Sequence, residues 1–329
     1  MIANLHTFHG ARVLSLVACM LATAGVAAQN LAWVSSEKSN TITLVDLAQG
    51  KVTATVPTCK RPRHMQLSAD RKQMLVACSD SNAADVIDVA TRKSVRRIPL
   101  GDNPEMFDLS AEGKTIFVSN EDDAELSFVD ATDGKKIGQV KVGAEPEGVK
   151  VSPDGKTVFV TSEVANMVHV VDVASKTVRK NITVGKRPRR FAITPDAQEL
   201  WVTNELGASV SVVSLKDYSV LATIPLQLKG ARASDITPIG LVMTRDGKRA
   251  YVTMGRANHV AFVDVASRQV TDQVLVGKRP WSLALNADET RLYVVNGLSD
   301  DMTVVDTARA KALVSMPVGR VPHTVVLTD

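Results

Sequence analysis

Residues 146–184 hold four short apolar runs in sequence: Pro146-Glu-Gly-Val-Lys-Val-Ser152, Thr157-Val-Phe-Val-Thr161, Val168-His-Val-Val-Asp172 and Thr177 to Val184. Each run is rich in β-branched residues and is bounded by Gly, Pro, Asn or Asp, the signature of strands rather than helices. Pro153-Asp-Gly-Lys156 between the first two reads as a tight turn, because Gly155 can take positive φ without a Cβ clash. The stretch therefore predicts a four-stranded antiparallel unit, with strands a, b, c and d in that order.

Moving outward, the Asp that closes strand c recurs. Asp46, Asp88, Asp130 and Asp172 are spaced by 42, Ser214 takes the next slot, Asp264 follows 50 later and Asp306 another 42. One eight-residue insertion, near Gln227 to Asp235, accounts for the longer interval. A period in the low forties is the length of one propeller blade. The chain after the leader opens on a b strand, Leu31 to Ser35, and closes on an a strand, Thr324 to Thr328. Seven a strands and seven b strands result. The expectation is an all-β, seven-bladed propeller of four-stranded blades, its ring closed by the C-terminal inner strand joining the N-terminal blade, which protects strand edges. A solenoid would need capping ends instead.

Composition is that of a globular protein, 45% apolar and 22% charged, with a formal charge of +4. That charge is too mild for a nucleic-acid partner, and no basic stripe interleaved with aromatics occurs. Residues 1–28 read as a signal peptide, with Arg12 followed by an apolar run from Val13 to Val26 and small residues Ala27 and Ala28. The run is short for a bilayer span. A periplasmic, soluble, monomeric product of residues 29–329 is expected, with a lipid anchor on Cys19 the lesser alternative because Leu16-Val-Ala-Cys19 resembles a lipobox. Cys59 and Cys78 then remain, enough for one disulfide in an oxidising compartment. Cys59 stands in the slot of Gly101, Gly143, Gly185 and Gly277, and Cys78 in the slot of Asn120 and Asn204, two coordinated departures from the repeat.

The b-strand sequences Phe117-Val-Ser-Asn120, Trp201-Val-Thr-Asn204 and Tyr293-Val-Val-Asn296 resemble the Tyr-Val-Thr-Asn family of β-propeller repeats. Pro104-Glu-Met-Phe107, Ser119-Asn-Glu-Asp-Asp123, Thr161-Ser-Glu163, Glu199-Leu-Trp-Val202 and Thr237-Pro-Ile-Gly240 are similar to the propeller proteins associated with PQQ-dependent catabolism. This resemblance implies an exported accessory protein beside a quinoprotein alcohol-oxidation or transport system. PQQ enters only through that association.

The chain lacks Cys-x-x-Cys-His, so covalent c-type haem is excluded, and it lacks Gly-x-Ser-x-Gly, His-Glu-x-x-His and a P-loop. Its three Trp are too few for a quinoprotein dehydrogenase. His64, His169, His259 and His323 have no metal-ligand spacing, and no metal site is expected. The d-to-a and b-to-c loops must share one face, the top. The residue after each d-to-a proline is Arg63, Glu105, Glu147, Arg189, Ile239, Trp281 or His323. With His64 and Arg190 these form a candidate polar site around the axis for a small anionic ligand. The competing reading pairs them with Glu37, Glu121, Glu163 and Glu205, which occupy one slot on the b-to-c loops. Three functions stay open: a binding or accessory protein, the leading reading ahead of an enzyme; a lactonase-like hydrolase using the top funnel; or a non-catalytic subunit of a dehydrogenase.

Overall fold

A computed structural model describes residues 1–2 and 30–328. The leader and the Cys19 alternative lie outside the described residues. Seven four-stranded sheets follow one another around the ring. In the fourth, β12 (Pro146–Val151), β13 (Thr157–Ser162), β14 (Met167–Asp172) and β15 (Thr177–Thr183) pair antiparallel in order. The first sheet is built from both ends of the described chain. Its order is β28 (Pro322–Leu327), β1 (Leu31–Ser36), β2 (Thr41–Asp46) and β3 (Lys51–Pro57), with Trp33 opposite Val326 and Val34 opposite Val325. The seven-bladed ring and its mode of closure are as the repeat predicts.

Burial explains the apolar runs. Middle strands such as β1 and β13 are buried at every position, since both faces of each blade pack on a neighbour. Outer strands such as β15 are largely exposed and carry the charged residues. Trp33, Trp201, Tyr251 and five Phe are fully buried between blades.

The periodic Asp is structural. Asp46 accepts bonds from the backbone N–H of Ala48 and Gln49, at 2.9 and 2.8 Å, and Asp88, Asp130, Asp172, Asp264 and Asp306 do the same in their own c-to-d turns. Ser214 substitutes with its Oγ accepting from Lys216 N–H. A short polar side chain that folds back on the next backbone amides is what this turn needs.

Cys59 and Cys78 form a disulfide, their Cα atoms 5.8 Å apart. The other blades show why the two departures go together. There the Gly slot lies directly against the Asn or Ser slot: a Cβ on Gly185 would sit 2.5 Å from Asn204 Cγ, and one on Gly277 would sit 2.6 Å from Asn296 Nδ2. Side chains cannot be added at one slot without changing the other, and a cross-link between the two satisfies both.

Candidate functional site

The Tyr-Val-Thr-Asn motif positions the axial residues. Its third residue donates a hydroxyl across the blade boundary to the carbonyl of the residue after the next blade's proline. Ser35 reaches Arg63 O at 2.6 Å, Ser119 reaches Glu147 O at 2.7 Å, Thr161 reaches Arg189 O at 3.1 Å and Thr203 reaches Ile239 O at 2.8 Å. Its fourth residue binds inside its own blade, as Asn120 does to Ser127 and Asn204 to Ser211. Inter-blade bonds worth about 1 kcal/mol each thus help set the height of four of the seven inner strands.

The residue before the proline is held in left-handed backbone in six of the seven loops: Arg61, Asn103, Glu145, Arg187, Arg279 and Val321 have φ between 48° and 55°. Non-glycine residues pay a steric cost there. Backbone bonds keep them in place, for Glu37 N–H binds Val321 O, Glu163 N–H binds Glu145 O and Glu205 N–H binds Arg187 O, at 3.0, 3.0 and 2.8 Å. The same contacts carry the Glu slot of the b-to-c loops into reach of the arginines.

The result is a top cavity of about 330 Å³ whose lining includes Arg61, Arg63, Arg187, Arg189, Arg256 and Arg279 against Glu37, Glu105, Glu121, Glu147, Glu163 and Glu205. Charge is matched in number and largely in contact. Arg63 pairs with Glu105 and lies 3.6 Å from Glu37. Arg189 pairs with Glu163 and lies 3.4 and 3.6 Å from Glu147 and Glu205. Arg187 bridges Glu163 and Glu205 at 2.7 and 3.1 Å. Glu121 instead accepts a bond from Asn103. Trp281 forms one wall, with Arg189 and Arg279 stacked 5.3 and 5.0 Å from its ring.

Burial disfavours the charge on Arg189, but Glu147, Glu163 and Glu205 outweigh it and hold the guanidinium charged. Burial raises Glu163 to about 7, with Glu147 adding to the shift against the pull of Arg189 and Arg187. Arg189 keeps Glu147 and Glu205 as counter-charges whichever form Glu163 takes. Glu147 is buried too, yet Arg189, Arg190 and Arg63 keep its carboxyl well below the usual range.

The eight axial residues expected from the sequence converge, but not in one cavity. Arg63, Glu105, Glu147, Arg189 and Trp281 line the top cavity. His64 and Arg190, with Trp281 again, line a second cavity of about 260 Å³ deeper in the channel. His323, 1% exposed, is packed between, 5.5 Å from the Trp281 ring and 3.4 Å from Arg190. Glutamates on the neighbouring b-to-c loops pair with these arginines, Glu37 with Arg63 and Glu163 and Glu205 with Arg189. The insertion places Lys229 and Gly230 at an exposed loop tip away from both cavities.

Sequence reasoning missed Gln66, Asp108 and Lys150. They are bonded in a row, Gln66 Nε2 and Lys150 Nζ each 2.9 Å from the Asp108 carboxylate, and all three line the deeper cavity. Their spacing of 42 was a visible signal, one repeat slot in three successive blades. Among the described residues no cluster of His, Cys, Asp and Glu is arranged to hold a metal ion, and no helix is long and apolar enough to cross a membrane.

Comparison with known families agrees with this architecture. A model described as "Lactonase, 7-bladed beta-propeller" matches residues 152–323, and one described as "YNCE-like beta-propeller" matches 9–106 and 107–195. The chain belongs to the lactonase and YNCE-like family of seven-bladed β-propellers. No curated protein matches it. Among solved structures, the periplasmic gluconolactonase PpgL of Pseudomonas aeruginosa is similar at 20% identity and a TM-score of 0.78, covering 91% of this chain and 98% of that one. Hydrazine synthase of Kuenenia stuttgartiensis gives 23% and 0.76, covering 84% and 92%. A 6-phosphogluconolactonase assignment from Bacteroides uniformis gives 16% and 0.74, covering 91% and 99%. At these identities the likeness is one of fold, and none of these matches bears on an association with PQQ.

Proposed function

We propose that the top cavity binds a small, uncharged polyhydroxylated ring, and that the protein hydrolyses a sugar-type lactone there. The observation that carries this reading is the matched charge of the mouth. An anion would have to displace a glutamate from a buried arginine, whereas hydroxyl groups both donate and accept and can insert among ion pairs without changing net charge. Trp281 offers an apolar face to the ring. Family membership and the likeness to a gluconolactonase point the same way.

In this reading Glu163, with its carboxyl near 7, takes a proton from water as the oxygen attacks the lactone carbonyl. The Arg189 guanidinium, held charged by its glutamates, stabilises the developing oxyanion. The ring C–O bond breaks, the leaving oxygen takes up a proton, and the products are a hydroxy acid carboxylate and one released proton. Export belongs to the same proposal, and the Cys59–Cys78 disulfide fits an oxidising compartment.

The test is acid release from glucono-δ-lactone, corrected for spontaneous hydrolysis. Wild type should accelerate it, with kcat rising as pH increases through about 7. Glu163→Gln should lose at least 100-fold in kcat with little change in KM. No acceleration by wild type overturns the hydrolase reading. The accessory reading, suggested by the resemblance to PQQ-associated propellers, then makes the next prediction: PQQ should bind with a Kd that Arg63→Ala/Arg189→Ala weakens.

A further inference from the structure

The axial channel is two chambers rather than one. Trp281 is the one side chain lining both, and the Arg190–Glu147 ion pair at 3.0 Å joins the floor of the upper to the roof of the lower. The lower chamber is built by two alternate positions of the inner strands. Two residues past each proline stand His64, Met106, Gly148, Arg190, Gly240, Ser282 and Thr324. Four past it stand Gln66, Asp108, Lys150, Ala192, Val242, Ala284 and Val326. The second ring is polar over three successive blades and apolar over the other four. A ligand that fits it has one polar end and one apolar end.

The sign of the polar end follows from the charges. Ionised side chains lining the chamber are Asp108, Lys150 and Arg190. Asp108 is already satisfied by Gln66, Lys150 and the backbone N–H groups of Leu109 and Val151. Arg190 gives one nitrogen, Nη2, to Glu147, while its buried Nη1 has no hydrogen-bond partner. His64 faces Arg190, Asp108 and Lys150, and burial keeps its imidazole neutral, so it adds no competing charge. The chamber thus carries an excess of one positive charge and an unpaired guanidinium donor. Its apolar lining comes from Met106, Phe191, Leu283 and Val325. At about 260 Å³ it lies just below the roughly 300–1,000 Å³ of drug-sized pockets, which restricts it to a small molecule. The Lys150 side chain is 41% exposed, so solvent reaches the chamber at its lower rim.

We propose that this lower chamber is a second ligand site, separate from the upper mouth, that binds a short-chain aliphatic monocarboxylate. The carboxylate bonds Arg190 Nη1 and Lys150 Nζ, and the alkyl chain lies against Met106, Leu283, Val325 and Val326. This site does not depend on the hydrolase reading of the upper cavity.

Isothermal titration of the full protein with butyrate and hexanoate, and with 1-butanol as the uncharged control, tests it. Wild type should bind the carboxylates and not the alcohol. Lys150→Met should weaken binding about tenfold or more, as expected for loss of a charge-assisted contact. Val326→Phe should abolish it by filling the chamber, while leaving any acceleration of lactone hydrolysis unchanged. Thermal melts establish that both variants fold, and Val326→Leu is the milder substitute if Val326→Phe does not. No carboxylate binding by wild type at 20 mM, equal binding of the alcohol, or binding untouched by both variants would each overturn the proposal.

Discussion

Replacing Cys59 and Cys78 by the residues the other blades carry, as Cys59→Gly/Cys78→Asn, removes the cross-link while restoring the contact that the repeat itself uses. Gly185 against Asn204 shows that this pair packs without a gap. The two cysteines are separated by 19 positions. Closing a loop of about 20 residues removes roughly 11 cal/mol/K from the unfolded chain, or about 3.3 kcal/mol at 25 °C. A chain of roughly 300 residues unfolds with an entropy near 0.6 kcal/mol/K, so the melting temperature should fall by about 5 °C. Differential scanning calorimetry with and without reductant measures this. The double variant should melt about 5 °C lower than oxidised wild type, match reduced wild type, and ignore reductant. The reverse exchange, Gly185→Cys/Asn204→Cys, should form a bridge in air because the slots are equivalent. If reduction leaves the wild-type melt unchanged, the cross-link is not restricting the unfolded chain and the argument fails.

Deleting residues 322–329 should expose the edge of β1 and leave its buried Trp33 and Val34 without their partners Val326 and Val325, so we expect aggregation; unchanged solubility and melting would refute closure by the two ends. His64 should make the protein acid-sensitive. Burial lowers its pKa from 6.5 to about 3, so its contribution to stability is present above 6.5 and is lost as pH falls from there toward 3. The full loss is on the order of 5 kcal/mol at 1.36 kcal/mol per unit. His64→Phe, which keeps an aromatic edge against Phe107, should lessen the fall in urea-denaturation stability between pH 6.5 and 4, leaving the part due to His323 and His169, which burial also keeps neutral; an unaltered pH slope would count against a neutral His64 imidazole.

The repeat made the fold legible because each blade reuses the same solutions at the same positions. The recurring Asp, the Gly beside the Asn, and the terminal b and a strands were all readable as slots. The axial charges were readable as a ring, but not their pairing. Whether Arg63 is free or bound to Glu105 depends on the height of one inner strand against the next, and that is set by hydroxyl bonds such as Ser35 to Arg63 O. Gln66, Asp108 and Lys150 escaped notice for a different reason. Their slot is Ala or Val in the other four blades, so along any one strand it reads as ordinary alternation toward a core. Comparing the slot across blades, rather than reading along the chain, would have exposed the polar arc.

Closure of the ring has a consequence for the order in which the protein is made. Thr328 N–H bonds Leu31 O across 297 positions, so the first strand to be synthesised waits for the last. Until the final residues emerge, β1 has one open edge and the ring cannot shut. Six blades can form from neighbours in sequence, but the step that makes them one cooperative body depends on a contact between the two ends. Such long-range pairing is slow, and the waiting chain presents unpaired strand edges. The body of the ring is thus assembled locally, and a single strand from the other end of the chain acts as its latch.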